Sequence, residues 1–150
     1  MPANINSTKL AKQLLHPEYC HGLKGRVLVL VPATLEAGGG VCSCPGYEVE
    51  DEHFFVLLPG FPSSVVVPLY SNNDVRRHVV EQELKRGRQG SRWMCEPSHY
   101  HEGQWWTVAN DVIVAAAAND FTIDAAEANY LLEARRALRK LGLYKKAAPK

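Results

Sequence analysis

The sequence predicts an α+β fold: a small curved antiparallel sheet or barrel with a short N-terminal helix and a long C-terminal amphipathic helix. Three observations predict it. Continuous apolar runs rich in β-branched residues are bounded by glycine and proline, which is typical of buried strands. Two of these runs are joined by a short Pro/Gly segment, which favours an antiparallel hairpin. Near the C-terminus, apolar residues recur at steps of three and four, the period of a helix.

The N-terminal third is predicted to hold one helix and one strand. Residues 9–15 carry leucines on one helical face, and Ser7 or Thr8 is placed to cap them. Residues 26–31 alternate valine and leucine after a charged residue, which predicts a buried strand. The segment 36–45 contains three consecutive glycines and is predicted to be a loop.

The second and third strands are predicted to form a hairpin. Residues 53–58 and 65–69 are apolar, and the Pro/Gly/Ser segment 59–64 between them has turn composition. Pro68 has no backbone N–H to donate, so it indicates an edge position or the exit of the third strand.

The middle of the chain admits two interpretations. Residues 75–84 carry apolar side chains at helical spacing, whereas 76–80 alone could be a strand; the helix is favoured. Further on, residues 91–95 and 104–109 are predicted to be short strands on either side of a His-rich loop at 98–103.

Two later segments complete the pattern. Residues 112–118 are apolar throughout, and periodicity alone does not decide between strand and helix. Thr122 is placed to cap a long amphipathic helix, whose basic last turns favour the negative end of the helix dipole before Gly142 stops it. The chain is therefore expected to be one domain over 1–144 with a flexible basic tail at 145–150.

Composition and charge exclude several classes of protein. The 150 residues are 46% hydrophobic and 22% charged, with a net charge of +1, so the chain is neither disordered nor a general polyelectrolyte binder. No apolar run approaches the roughly 20 residues that cross a bilayer. Four cysteines without an export signal indicate reduced thiols or metal ligands, and not a disulfide framework. We therefore expect a cytoplasmic protein that does not associate with membranes.

Residues 25–80 resemble the PemK/MazF family of toxin endoribonucleases. The segment Gly25-Arg26-Val27-Leu28-Val29-Leu30 is similar to the first strand of that family, and residues 36–47 to its glycine-containing loop. His53-Phe-Phe-Val-Leu57 is similar to its second strand, and Val65-Val-Val-Pro-Leu-Tyr-Ser71 to its third strand and motif. The resemblance implies an SH3-like barrel and RNA as the substrate.

The positions that carry catalysis in that family differ in this chain. Glu52 and His53 stand where the family has its catalytic Arg, and Tyr70 stands at the catalytic Thr position, although Ser71 follows as the motif requires. Cleavage of RNA needs a base, an acid and positive charge near the phosphate. His53 and Ser71 are therefore the candidate catalytic residues. A divergent endoribonuclease and an inactive RNA-binding relative both remain open.

A basic stretch in the middle of the chain could contact phosphates. Tryptophan and tyrosine follow it, and aromatic rings can stack on bases. The alternative interpretation is a solvated charged surface with the tryptophans in the core. The candidate nucleic-acid-binding residues are Arg76, Arg77, Arg86, Arg88 and Arg92.

Cysteine and histidine form a second constellation. Cysteine and histidine side chains can hold zinc, and the candidate ligands here are Cys42, Cys44, Cys95 and His99, with His101 as a further candidate. Their two clusters lie about fifty residues apart and lack the usual Cys-Cys gap, so no metal is assigned. Because no phosphate-binding glycine loop or dinucleotide fingerprint is present either, we expect no cofactor.

Two function classes follow from these features. The first is a nucleic-acid-directed protein whose partner is RNA. The second is a non-enzymatic interaction or inhibitor module, of the kind that mobile elements encode, whose partner is another protein. In the second class the contact would be made by the C-terminal helix or by exposed tryptophans, and a homodimer is compatible with both classes.

Overall fold

A computed structural model describes residues 7–43, 53–71, 77–80, 82, 85–87, 89–101, 104–120 and 131–132. The helices are α1 (Ser7–Leu14), α2 (Pro32–Ala37), α3 (Arg92–Cys95) and α4 (Asn110–Asp120), with a 3-10 turn at Cys20–Leu23. The strands are β1 (Val27–Leu30), β2 (Val41–Cys42), β3 (His53–Leu58), β4 (Ser63–Tyr70), β5 (Arg77–Val79), β6 (Lys85–Arg86), β7 (His99–His101), β8 (Trp106–Ala109) and β9 (Leu131–Leu132). None of the described helices is long and apolar enough to cross a membrane.

Seven strands form one antiparallel sheet in which β4 is central. The order β1-β3-β4-β7-β5 is extended by β8, which pairs with β4, and by β2, which pairs with β8. Among the described residues no pairing joins β1 to β5, so the sheet is open. The protein therefore has an α+β fold built on a small open antiparallel sheet.

On the side away from β3, the two halves of β4 pair with different strands. Residues Ser63 to Val66 pair with β8, whereas Leu69 and Tyr70 pair with β7. Pro68 lies in the gap between the two partners, opposite Phe55 of β3. A residue that cannot donate a backbone hydrogen bond is tolerated inside this central strand because it stands where the pairing is interrupted.

Both faces of the sheet are buried, and the strand residues alternate between them. Phe55 and Leu57 contribute to the cluster on the helical face, the side covered by α1, α2 and α4. Phe54 and Val56 contribute to the cluster on the other side. We call that side the tryptophan face because it contains Trp93, which is fully buried.

A buried amide ties the helical layer to the β3–β4 turn. Asn110, the first residue of α4, donates from Nδ2 to the carbonyl oxygens of Leu14 at 3.0 Å and Gly60 at 2.8 Å. Its Oδ1 accepts from the Ser64 hydroxyl at 2.6 Å. One side chain thus satisfies groups from α1, from the turn and from β4, as burial requires.

Several of the predicted elements are confirmed. The short N-terminal helix, the first strand and the hairpin of β3 and β4 are present, and the hairpin register pairs Val56 with Val67. The undecided segment 112–118 is helical, as part of α4. The predicted strand at 104–109 is present as Trp106–Ala109.

Other predictions are wrong. Arg77–Val79 is a strand and not a helix, because it pairs with β7. The predicted strand at 91–95 contains α3, which Ser91 caps, and the predicted loop at 98–103 contains β7. In the predicted loop at 36–45, α2 extends to Ala37 and β2 follows.

The predicted C-terminal helix lies mostly outside the described residues, as does the basic tail at 145–150. Within its span the structure describes only Leu131–Leu132, and these two residues form a strand paired with Lys85–Arg86. The long helix is therefore not supported at these two positions. A helical period in the sequence does not exclude a local strand pairing of this kind.

Candidate nucleic-acid interface

The segment from β6 to β7 is organised around Trp93. Ser91 accepts a hydrogen bond from the Met94 N–H and so begins the single turn of α3. The Trp93 indole N–H donates to the carbonyl oxygen of Arg86 at 3.0 Å. Its ring meets the Phe54 ring edge-on, with centroids 5.6 Å apart. Trp93 therefore joins the segment to the sheet by apolar packing and to β6 by a hydrogen bond.

Lys85 is buried beneath the same ring, with 1% of its surface exposed. Its Nζ donates to the carbonyl oxygens of Trp93 at 2.9 Å and Glu96 at 2.8 Å, and to the Ser98 hydroxyl at 2.8 Å. Nζ also lies 4.3 Å from the centroid of the Trp93 ring. The three ammonium protons thus have three acceptors, which is the condition for burying a lysine.

Burial lowers the pKa of Lys85 from 10.5 to about 8, and the negative charge of Glu96 opposes this change. The position is therefore held by hydrogen bonds more than by charge pairing. Since the three acceptors lie within α3, directly after α3 and directly before β7, Lys85 fixes the path of the chain between them.

Two of the predicted phosphate-binding residues flank this scaffold. Arg86 and Arg92 are both exposed. Arg86 Nη1 donates to the carbonyl oxygen of Lys85 at 2.9 Å, and the Arg92 guanidinium carbon lies 4.9 Å from the centroid of the Phe54 ring. We call this pair the arginine ridge. Gly90, with φ of 85°, makes the turn between its two members.

The other predicted arginines are not brought to the ridge by any described contact. Arg76 and Arg88 lie outside the described residues. Arg77 begins β5 and pairs with His101, and the structure describes its backbone alone. The ridge therefore rests on two of the five predicted residues.

The candidate catalytic residues come to one end of the sheet. Tyr70 pairs with His99, and continuing the register of β3 and β4 places the backbone of His53 opposite Tyr70. Ser71 follows Tyr70 and is exposed. The backbones of His53, Ser71 and His99 therefore lie at the same end of the adjacent strands β3, β4 and β7. The structure does not describe the His53 side chain.

Tyr70 has a structural role. Its hydroxyl donates to Gln104 Oε1 at 2.7 Å, and 7% of the residue is exposed. His99 Nδ1 lies 3.3 Å from the Tyr70 carbonyl oxygen, and because a carbonyl only accepts, Nδ1 is the donor. Tyr70 therefore holds the strand ends together.

The cysteine and histidine set is dispersed in the described structure. Cys42 is half-buried against the helical face, whereas Cys95 is exposed at the end of α3. His99 is buried in β7, and Cys44 lies outside the described residues. Within the described part of the chain, no group of three or more His, Cys, Asp or Glu side chains could hold a metal ion.

Sequence reasoning missed the residues that support the ridge. Lys85 and Trp93 stand in a basic stretch that looks exposed, and no signal separates the buried Lys85 from its neighbour Arg86. The tryptophan pair was predictable: residues at adjacent strand positions face opposite sides. Trp106 is buried on the helical face, and Trp105 packs against the tryptophan face.

Comparison with known proteins adds no family to this description. No family model matches the chain, and no solved structure matches it.

Proposed function

We propose that this protein binds RNA through the arginine ridge without cleaving it, as an inactive relative of the PemK/MazF toxins. The observation that carries the proposal is the exposure of Arg86 and Arg92 on a scaffold fixed by Trp93 and Lys85. Guanidinium groups match phosphate geometry, and anchored ones lose less conformational freedom on binding. Since the net charge is only +1, affinity has to come from such a local cluster.

The kinship with these toxins is part of the proposal. β4 pairs with different strands at its two ends, but the sheet is open among the described residues, so the kinship rests on the sequence resemblance of residues 25–80. The absence of cleavage is supported by Tyr70, whose hydroxyl is buried and donates to Gln104. It is also supported by Glu52, which places negative charge where the family has Arg.

The test is RNA binding at about 50 and about 200 mM salt, with and without the ridge. We expect affinity to fall steeply with salt, because each phosphate contact releases counterions. Arg86→Ala/Arg92→Ala should lower the slope of log affinity against log salt by about 1.4, at about 0.7 per contact to a single strand. The matched control is Lys12→Ala/Lys24→Ala, which removes two exposed positive charges from α1 and the turn before β1.

The results of these binding and cleavage assays distinguish RNA binding by the ridge from general charge attraction and from RNA cleavage. Equal losses in the two double variants would show that only overall charge matters, and no binding at low salt would refute the proposal. The RNA should stay at full length after incubation. Cleavage that disappears in His53→Ala or Ser71→Ala would instead establish a divergent endoribonuclease.

A different observation favours the second function class. Leu15 and Phe61 are 45% and 47% exposed, and they follow the two carbonyl groups that Asn110 brings together. Large apolar side chains exposed on one surface can mark a protein contact. Self-association measured by sedimentation, and lost in Leu15→Ser/Phe61→Ser, would support an interaction module. A monomer at all concentrations and salt-sensitive RNA binding would not.

A further inference from the structure

Strand β5 lies at one end of the antiparallel sheet. It pairs with β7 on one side, and among the described residues no strand pairs with its other side. Val79 belongs to this edge strand and is 59% exposed. An open sheet edge that carries an exposed aliphatic side chain is a template for the pairing of another strand. β5 is therefore a place where a further strand can be added to the sheet.

The backbone groups of Val79 point away from the sheet. Val80 donates its N–H to the carbonyl oxygen of Ser98 at 2.8 Å, so these two residues form a hydrogen-bonded pair that continues the ladder of β5 and β7. Hydrogen-bonded and non-hydrogen-bonded pairs alternate in an antiparallel ladder. The next pair, Val79 with His99, is therefore non-hydrogen-bonded. The N–H and C=O of Val79 are consequently directed to the open edge, where a second strand can exchange both hydrogen bonds with them.

The sequence around Val79 is complementary to itself when two copies run antiparallel. Arg77 stands two residues before Val79, and Glu81 stands two residues after it. If Val79 of one copy pairs with Val79 of the other, Arg77 of each copy stands opposite Glu81 of the other. Opposite charges and aliphatic pairs at facing positions favour strand pairing. The two neighbouring registers that use the same backbone groups place Val79 opposite a charged residue instead, which is Arg77 in one register and Glu81 in the other.

We infer that two copies of this protein associate through β5, with Val79 at the two-fold axis and Arg77 of each copy opposite Glu81 of the other. This inference goes beyond the proposed function and does not depend on it, because the arginine ridge takes no part in the contact. The sheet then continues from one copy into the next through main-chain hydrogen bonds, as in β-strand addition. An unrelated strand could use the same main-chain groups, but it would not reproduce the reciprocal charge pairs. Because a contact of one strand pair is small, we expect a weak dimer.

Charge reversal tests this register. Arg77→Glu and Glu81→Arg each place like charges opposite one another at both pairs, so each variant alone should dimerise at least about tenfold more weakly than the wild type. Mixed in equal amounts, the two variants should form a heterodimer, because every facing pair then has opposite charges. Sedimentation velocity without RNA, at about 5 to about 500 µM protein, measures this association. Lys12→Glu and Glu36→Arg are the matched controls at exposed positions of α1 and α2, and each should dimerise as the wild type does.

A backbone substitution tests the edge itself. Val79→Pro removes an N–H that the pairing with β7 does not use, so far-UV circular dichroism should stay as in the wild type while association falls. A wild type that stays monomeric at the highest concentration would overturn the inference, as would a mixture of the two charge variants that associates no more than either alone. Self-association that is lost in Leu15→Ser/Phe61→Ser and kept in Arg77→Glu would overturn it too, because the contact would then lie on another surface.

Discussion

Lys85 makes this protein more stable as the pH rises. A surface lysine that pairs with a carboxylate has the opposite effect, because its pKa is raised on folding. The pKa of Lys85 is about 8 in the folded protein against 10.5 ordinarily, because burial disfavours the charged form. Between these two values the unfolded chain holds a proton that the folded protein has released. The free energy of unfolding must therefore rise as the pH increases from about 8 to 10.5.

The size of the effect follows from the same two values. One pKa unit corresponds to about 1.4 kcal/mol, so the full rise is about 3 kcal/mol. Below pH 8 the cost of the buried charge is fully present, and by pH 10.5 it has been lost. Other groups also titrate in this range, so the informative quantity is the difference between the wild type and a variant without the amine.

Urea unfolding at a series of pH values measures this difference for Lys85→Met, with Lys12→Met as the exposed control. We expect the wild type to gain about 3 kcal/mol relative to Lys85→Met between pH 7 and pH 10.5. The Lys12→Met curve should run parallel to that of the wild type. Parallel curves for Lys85→Met as well would refute the reasoning, since they would mean that Lys85 titrates normally. Glu96→Gln should shift the rise to lower pH, because it removes the charge that opposes the change.

Three further substitutions have expected outcomes that urea unfolding can check. Asn110→Ala should cost about 2 kcal/mol, because it leaves the carbonyl oxygen of Leu14 without its amide donor, whereas the carbonyl oxygen of Gly60 keeps the Ser64 hydroxyl at 3.2 Å. Ser64→Ala should cost about 1 kcal/mol, and equal losses would contradict the central role of the amide. Gly90→Ala should lower the free energy of unfolding by about 1 kcal/mol. The cause is the positive φ alone, since no atom of a non-neighbouring residue lies within 4 Å of the added Cβ. An unchanged free energy of unfolding would show that the turn adapts. Pro68→Ala should change the free energy of unfolding by less than about 1 kcal/mol, because the proline occupies a gap in the pairing; a large change would show that the ring itself is needed.

The elements that could be predicted are those whose signal is local. β1, β3 and β4 are buried on both faces, and their apolar runs and the turn between β3 and β4 suffice to identify them. The α+β class follows from these strands and the N-terminal helix. The fate of residues 77–79 could not be predicted, because their strand pairs with β7, whose own sequence looks like a loop. A pairing between two weak segments has no signature in either one.

The candidate site was predicted by residue type and not by arrangement. Charge and exposure identify Arg86 and Arg92, but the property that distinguishes them is the scaffold beneath. That scaffold depends on a tertiary hydrogen bond from Trp93 to Arg86 and on three acceptors that converge on Lys85. Segments 85–86 and 93–98 must fold together before any of these contacts exists, so no window of sequence contains them.

The layering of the fold indicates where a ligand can bind. One face of the sheet is covered by α1, α2 and α4, and the other is filled by Trp93, Tyr100 and the residues around them. A nucleic acid cannot lie across either face without displacing part of the core, at several kcal/mol for each large side chain uncovered. An RNA that leaves the core intact would therefore contact the strand ends, the connecting segments or the outer side of the helices. Among the described connections, segment 85–98 is the one in which exposed arginines lie next to buried groups whose hydrogen bonds are satisfied. Burial of a lysine is costly, so Lys85 requires its three acceptors, and these hold the segment in one conformation.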